Sequence, residues 1–240
     1  MKKILFLILF IIMSDSVFAE NLLYVGKFSD KSNSNQLLTQ WKPLNFKKIE
    51  KHTDYNLVRF EDRIIVKAVT NASASGLIRN IEIDLNEYPV IQWDWKVENV
   101  YKKGNVKKKK GDDYPARIYI TFKYDPAKVG FFEKVKFKTV KAIYGKYPPI
   151  SAINYIFASK ADKGVIVSNP YVDRVKMIVV DSGETDTGKW IHHKRNIFKD
   201  YKKAFKALPP LVSGVAIMSD SDNTGERAVA YYGDIIFKKN

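Results

Sequence analysis

The chain contains no cysteine. Disulfides, zinc-thiolate centres and thiol nucleophiles are thereby excluded, and the absence suits an exported protein that avoids oxidative mispairing. Histidine is scarce too: there are three, at 52, 192 and 193. A zinc site draws several His, Cys or carboxylate ligands at set spacings, and no HExxH-type signature is present. His192 and His193 are adjacent, so on a strand they point to opposite faces and do not share a metal. No metal and no cofactor is therefore assigned. The GxSxG elbow of many serine hydrolases is also missing, although a Ser-His-Asp triad is defined by geometry and stays open.

Long apolar runs are absent after the first residues. The exception, Ile4 to Met13, follows Lys2 and Lys3 and leads into Val17-Phe18-Ala19. Ten residues rising about 1.5 Å each fall far short of a hydrocarbon layer about 30 Å thick. With its basic start and small residues before the cut, the segment reads as a secretory signal over 1–19, cleaved after Ala19. The mature chain, 20–240, then has no transmembrane segment and is expected in the periplasm or outside the cell. It keeps 39 of the 41 basic and 25 of the 26 acidic residues, a net +14. Such a surface favours anionic partners. Export makes those an acidic glycan or another anionic envelope component and argues against nucleic acid; solubility alone is the competing explanation of the charge.

What is present is strict alternation. From Pro89 to Val97, Ile91, Trp93, Trp95 and Val97 share one face and Gln92, Asp94 and Lys96 the other. Between Ala116 and Asp125, Ile118, Ile120, Phe122 and Tyr124 point inward and Arg117, Tyr119, Thr121 and Lys123 outward. A period of two on a half-buried surface is the mark of antiparallel strands. Further β-rich runs are expected at 22–28, 55–60, 64–69, 76–83, 153–158, 175–181, 212–219 and 229–237, with Pro, Gly, Asn and Asp between them. Two segments break the rhythm. One helix is expected after Asn196, burying Ile197, Tyr201, Phe205 and Leu208 and stopped by Pro209-Pro210. The other runs from Asp125-Pro126 to Gly145, with Phe132, Val135 and Val140 in an apolar stripe and Lys134, Lys138 and Lys141 in a basic one. That stripe either packs on a sheet, the reading preferred, or lies on an anionic membrane. No linker or repeat divides the chain. The expected fold is a mostly-β antiparallel sandwich in a single domain, with two short helical insertions.

Three constellations carry candidate chemistry. Ser219-Asp-Ser-Asp-Asn-Thr-Gly225 has the acidic spacing of a calcium loop at first, but Thr224 and Tyr231 stand where further ligands belong, so it reads as a turn. Asp112-Asp113 precede Arg117 at the mouth of a strand. Two neighbouring carboxylates there can share a proton, hold a cation or grip sugar hydroxyls, and Arg117 can orient one of them; neutralising Lys107 to Lys110 is the plainer role. Finally, the two best strands are expected to be sheet neighbours across the lysine-rich connection 101–111. Pairs whose numbers sum to 211 or 213 then set Asp94 opposite Arg117 or Tyr119. Asp94, Asp112, Asp113, Arg117 and Tyr119 are accordingly the expected ligand-binding residues, in a groove that exists only if those strands adjoin.

The strings HTDYNLV, ASASGLIRNI, YPVIQWDWKVENV, KGDDYPARIYITFKYDP, NPYVDRVKMIVVDSG and GVAIMSDSDNTGERAVAYYGDIIF closely resemble the bacterial family catalogued as domain of unknown function 3047. The resemblance runs from about Val25 to Phe237. It implies an exported single-domain protein and carries no catalytic residues with it. In shape, a first strand ending at Phe28-Ser-Asp30, Trp41 soon after and a closing Tyr231 to Phe237 look like the galactose-binding-like jelly roll of carbohydrate-binding modules. The reading of the whole is an exported binding module for a glycan or other polyhydroxylated envelope component. Alternatives are a glycoside hydrolase or polysaccharide lyase using Asp112 or Asp113 with Arg117 or Tyr119, and a structural or assembly protein.

Overall fold

A computed structural model describes residues 21–30, 39–144 and 147–239. The expected signal over 1–19 lies outside these residues. Among the described residues thirteen strands follow in chain order: β1 Leu22–Gly26, β2 Lys42–Leu44, β3 Asp54–Phe60, β4 Arg63–Asn71, β5 Ala74–Ile83, β6 Val90–Val97 and β7 Arg117–Phe122. After them come β8 Ser151–Ala158, β9 Ile166–Ser168, β10 Val175–Ser182, β11 Trp190–Asn196, β12 Val212–Asp220 and β13 Arg227–Lys238. Two α-helices interrupt the series, α1 Phe131–Tyr144 and α2 Ile197–Phe205. No helix among the described residues is long and apolar enough to cross a membrane.

The strands form two sheets. One runs β11-β6-β13-β4-β3, with β1 also paired to β13; the other runs β2-β5-β12-β7-β8-β10-β9. The fold is thus the mostly-β sandwich that alternation implied, antiparallel except for the parallel pair β8 and β10. Inward faces are also as the period of two assigned them: Ile91, Trp93, Trp95 and Val97 of β6 and Ile118, Ile120 and Phe122 of β7 are all buried in one core. Aromatic rings meet across the sheets there, Trp93 to Tyr155 with centroids 5.2 Å apart and Trp95 to Phe157 at 6.2 Å.

Neighbours, by contrast, are not as expected. β6 and β7 lie in different sheets, β6 between β11 and β13, β7 between β12 and β8. The lysine-rich connection between them is no hairpin. It crosses from one sheet to the other, burying Tyr101 and Val106, and closes on itself through Asn105 N to Gly111 O at 2.8 Å. Gly111 permits that closure, since a Cβ there would stand 2.7 Å from Asn105 N.

Both helices form, with altered limits. Asn196 caps α2 by accepting from Lys199 N at 2.9 Å, but the helix ends at Phe205, where Lys206 turns left-handed at φ 56°. Leu208, expected in the buried stripe, is therefore exposed. Asp125 caps a short 3-10 turn, Pro126–Lys128, and α1 starts only at Phe131. Of its expected stripe, Val135 is 49% exposed; Phe137, which that stripe did not include, is buried and stacks on Tyr124 at 4.1 Å. The side chains of Phe132 and Val140 lie outside the described residues.

Candidate functional site

The strand β7 begins at Arg117, and alternation places Arg117 and Tyr119 on the face opposite the core. Register pairs Arg117 with Met218 of β12, which makes Asp220, two residues on, its diagonal neighbour on the same face. The guanidinium forks onto that carboxylate, Nε donating to Oδ1 at 2.7 Å and Nη2 to Oδ2. Its remaining donors reach Asp112 O at 2.8 Å and Tyr119 Oη at 3.2 Å. The Tyr114 ring lies 4.4 Å beneath it. Arg117 was expected at the surface; it is 2% exposed, the partner in a buried ion pair.

Around this pair the loops wall an open cavity of about 740 Å³. Asp112, Arg117, Tyr119, Asn169 and Asp220 contribute buried polar groups, and Phe46, Lys47, Lys48 and Tyr171 line it from the Asn45–Ile49 and 169–172 segments. Asn169 ties the two sides together. Its Nδ2 donates to Asp112 Oδ2 at 2.7 Å, and its Oδ1 accepts from Tyr171 N at 3.0 Å and Val172 N at 3.1 Å. Asp113 faces the turn after β12 instead, accepting from Asn223 Nδ2 at 3.0 Å and from the backbone N–H groups of Asn223 and Thr224. Tyr171 Oη donates to Asn223 Oδ1 at 2.5 Å, so turn and lip are linked.

Burial of its polar floor sets the electrostatics. Burial pushes the Asp112 carboxyl up, against the opposing pull of Arg117 and Asn169. Burial, reinforced by the charge of Asp113, likewise raises Asp222. The Tyr119 hydroxyl is also raised by burial, with Arg117 working against the shift. Near the cavity, Asn154, directly opposite Tyr119 on β8, has both side-chain atoms buried with no protein partner, while the buried Tyr114 hydroxyl and Asp112 carboxyl lie close enough to act on each other. Native interiors leave few such groups unpaired.

Four of the five expected residues thus come together: Asp112, Arg117 and Tyr119 at the cavity, and Asp113 just behind it. Asp94 does not. It projects from the outer face of the other sheet, where it accepts from Arg63 Nη1 at 3.3 Å and pairs with His192 Nδ1 at 2.7 Å. The groove floored by Asp94 and Arg117 therefore does not exist, because their strands never adjoin. The sequence reading missed Asn169, Tyr171, Asp220 and Asn223. Asp220 stood in the segment read as a turn, and Asn169 heads one of the strings that mark the family, but nothing local joins either to Arg117. His192 and His193 do diverge, as adjacency required: His193 turns inward to Asp181 Oδ2 at 2.7 Å.

Fold and site together define a two-sheet β-sandwich protein with a polar cavity built over a buried ion pair on the outer face of one sheet. The chain belongs to the family described as "Protein of unknown function (DUF3047)", whose sequence model matches residues 39–236. No curated protein sequence matches it. Among solved structures, a family 12 xyloglucanase from Bacillus licheniformis is similar with a TM-score of 0.45 and 8% identity, over 86% of this chain and 97% of that one. The endoglucanase 3 of Trichoderma harzianum, from family GH12, gives 0.39 and 8%, over 85% and 100%. Lectin II from Ulex europaeus gives 0.30 and 13%, over 86% and 100%.

Proposed function

We propose that the protein is an exported binding module for a glycan or other polyhydroxylated component of the cell envelope, and that the ligand sits in the cavity over Arg117. The observation that carries this reading is the pairing of two surfaces. Phe46 and Tyr171 offer partly exposed rings at the lip, Tyr171 at 54%, and the floor below offers the buried polar groups of Asp112, Arg117, Asn169 and Asp220. Sugars present apolar ring faces and a rim of hydroxyls, so they need an aromatic platform beside fixed donors and acceptors. Arg117 and Asn169 are fixed by their ion pair and hydrogen bonds, which limits the entropy lost on binding.

The test is a glycan array with the mature protein, followed by titration of the best hit against Tyr171→Ala. Loss of one stacking contact of about 0.5–1.5 kcal/mol weakens binding roughly two- to twelvefold. Silence across envelope and capsular glycans, or unchanged affinity in Tyr171→Ala and Asn169→Ala alike, would refute the assignment. A second reading, a glycan-active enzyme, draws on the place of Asp112 in the cavity beside Arg117, with its carboxyl raised by burial, the direction in which a general acid is tuned. It predicts turnover in the same samples, lost in Asp112→Asn.

A further inference from the structure

The cavity over Arg117 has a neighbour. A second hollow of about 620 Å³ adjoins it at Tyr171 and Val172, and those two residues line both. The other walls come from parts of the chain that the first cavity does not use: Glu133 and Phe137 of α1, Ile150 at the entry to β8, and Arg174. Each cavity by itself is within the range of about 300–1,000 Å³ that one small ligand fills. Joined across a ridge of two consecutive residues, they make a longer receptacle.

The ridge is apolar and exposed, Tyr171 at 54% and Val172 at 39%. Neighbouring large apolar side chains at the rim of a cavity mark surface that a ligand covers. The ridge is also held in place. Asn169 Oδ1 accepts from the backbone N–H groups of both residues, Val175 N donates to Val172 O at 2.9 Å, and the Tyr171 hydroxyl is tied to Asn223 and, at 3.2 Å, to Lys109 O. A segment pinned through backbone and side chain is preorganised, so covering it costs little ordering entropy. The second hollow has polar groups of its own. The Arg174 guanidinium stands 5.5 Å over the Phe137 ring, which itself stacks on Tyr124. Its planar fork of N–H donors suits hydroxyl and carboxylate oxygens, and Glu133 adds acceptors on the α1 side.

We infer that the ligand is a chain of linked sugars, and that it runs from the cavity over Arg117 across Tyr171 and Val172 into a second subsite held by Arg174 and Glu133. The inference rests on the glycan reading of the first cavity and adds to it the length and direction of the ligand. A single sugar in the first cavity leaves the second hollow unused. A chain covers Phe46, Tyr171 and Val172 together, three of the seven large apolar side chains exposed among the described residues.

The experiment is isothermal titration calorimetry of the mature protein with two ladders of defined length, neutral chito-oligosaccharides and acidic oligogalacturonates, each from the monosaccharide to the octasaccharide. In the ladder that binds, affinity should climb with length until both subsites are filled and then level off. Arg174→Ala and Glu133→Gln change exposed side chains, so both should melt with the wild type. Each should weaken the longest members about three- to tenfold and leave the shortest binders unchanged. Affinity that is the same at every length, or a loss in Arg174→Ala that is equal for short and long chains, overturns the second subsite while the glycan reading stands. Absence of binding by every member of both ladders removes the glycan reading and this inference with it.

Discussion

Replacing Arg117 by Ala should destabilise the protein severely, whatever it does to a ligand. Were Arg117 a solvent-facing member of a cross-strand pair, its loss would cost about 0–1 kcal/mol. Its surroundings say otherwise. Both it and Asp220 are about 2% exposed, and truncation leaves the Asp220 carboxylate buried with only Tyr114 N, at 3.2 Å, still donating to it. Asp112 O and Tyr119 Oη lose a donor as well. Breaking a buried pair from one side costs about 3–5 kcal/mol, because the remaining charge is stranded. For a domain of this size that is a fall in melting temperature of roughly 6–20 °C. The sharper assay is a double-mutant cycle in urea with Arg117→Met, Asp220→Leu and the two combined. Removing both charges leaves no stranded ion, so the double variant should be more stable than the sum of the singles implies by about 1–3 kcal/mol. If Arg117→Ala loses less than about 1 kcal/mol, or if the two single losses simply add, the buried pair is not what organises this face. Binding assays on Arg117→Ala should then be read only beside its unfolding curve.

Between the two sheets, burial pushes the Asp181 carboxyl up, but His193, Trp95 and Lys163 outweigh it and hold Asp181 below the usual carboxylate range. A depressed folded-state value means a contribution that is present above about pH 4 and lost as pH falls below it. Urea unfolding between pH 3 and 7 should show that acid-side loss in the wild type and a flatter profile in Asp181→Asn; identical profiles would exclude the linkage. In α1, Phe137→Ala should cost about 3–5 kcal/mol, as buried aromatic truncations do, while half-exposed Val135→Ala costs under about 1 kcal/mol. Equal losses would mean that the helix packs by its other face. Cells expressing the full chain should release a mature product whose sequenced N-terminus is Glu20, and recovery of Met1 on a membrane-bound product would contradict export.

Alternation was legible because it is written strand by strand. A period of two needs only a handful of residues to declare which side chains face the core, and β6 and β7 declare it correctly through Trp93, Trp95, Ile118 and Ile120. Pairing is a different kind of information. It depends on which strands adjoin, and in a sandwich both inward faces look alike, so the pattern cannot tell a sheet neighbour from a strand across the core. Proximity in sequence was the only guide, and it fails where a long connection crosses between sheets. The strand carrying His192 and His193 shows the same limit: its residues Trp190 to Asn196 pair with β6 from 98 residues away, His192 opposite Asp94.

The candidate site divides along the same line. Asp112, Asp113, Arg117 and Tyr119 lie within eight consecutive positions, so chain connectivity alone keeps them together and a reading of the sequence can group them. Asp220 comes 103 positions after Arg117, and Asn169 is 57 from Asp112. Their arrival is decided by β12 pairing with β7 and by the 159–174 connection returning along β10, neither of which leaves a local mark. What the sequence does hold is a chemical imbalance. A strand that opens with an outward Arg beside two Asp residues, and another that ends in Ser219-Asp220 and runs into Ser221-Asp222, each carry charges that a solvated turn would tolerate. Buried, they cannot stand alone. Once Arg117 is buried its charge must be matched, and the carboxylate that matches it must come from a neighbouring strand on the same face. Asp220, at the end of an apolar strand, meets that condition on β12.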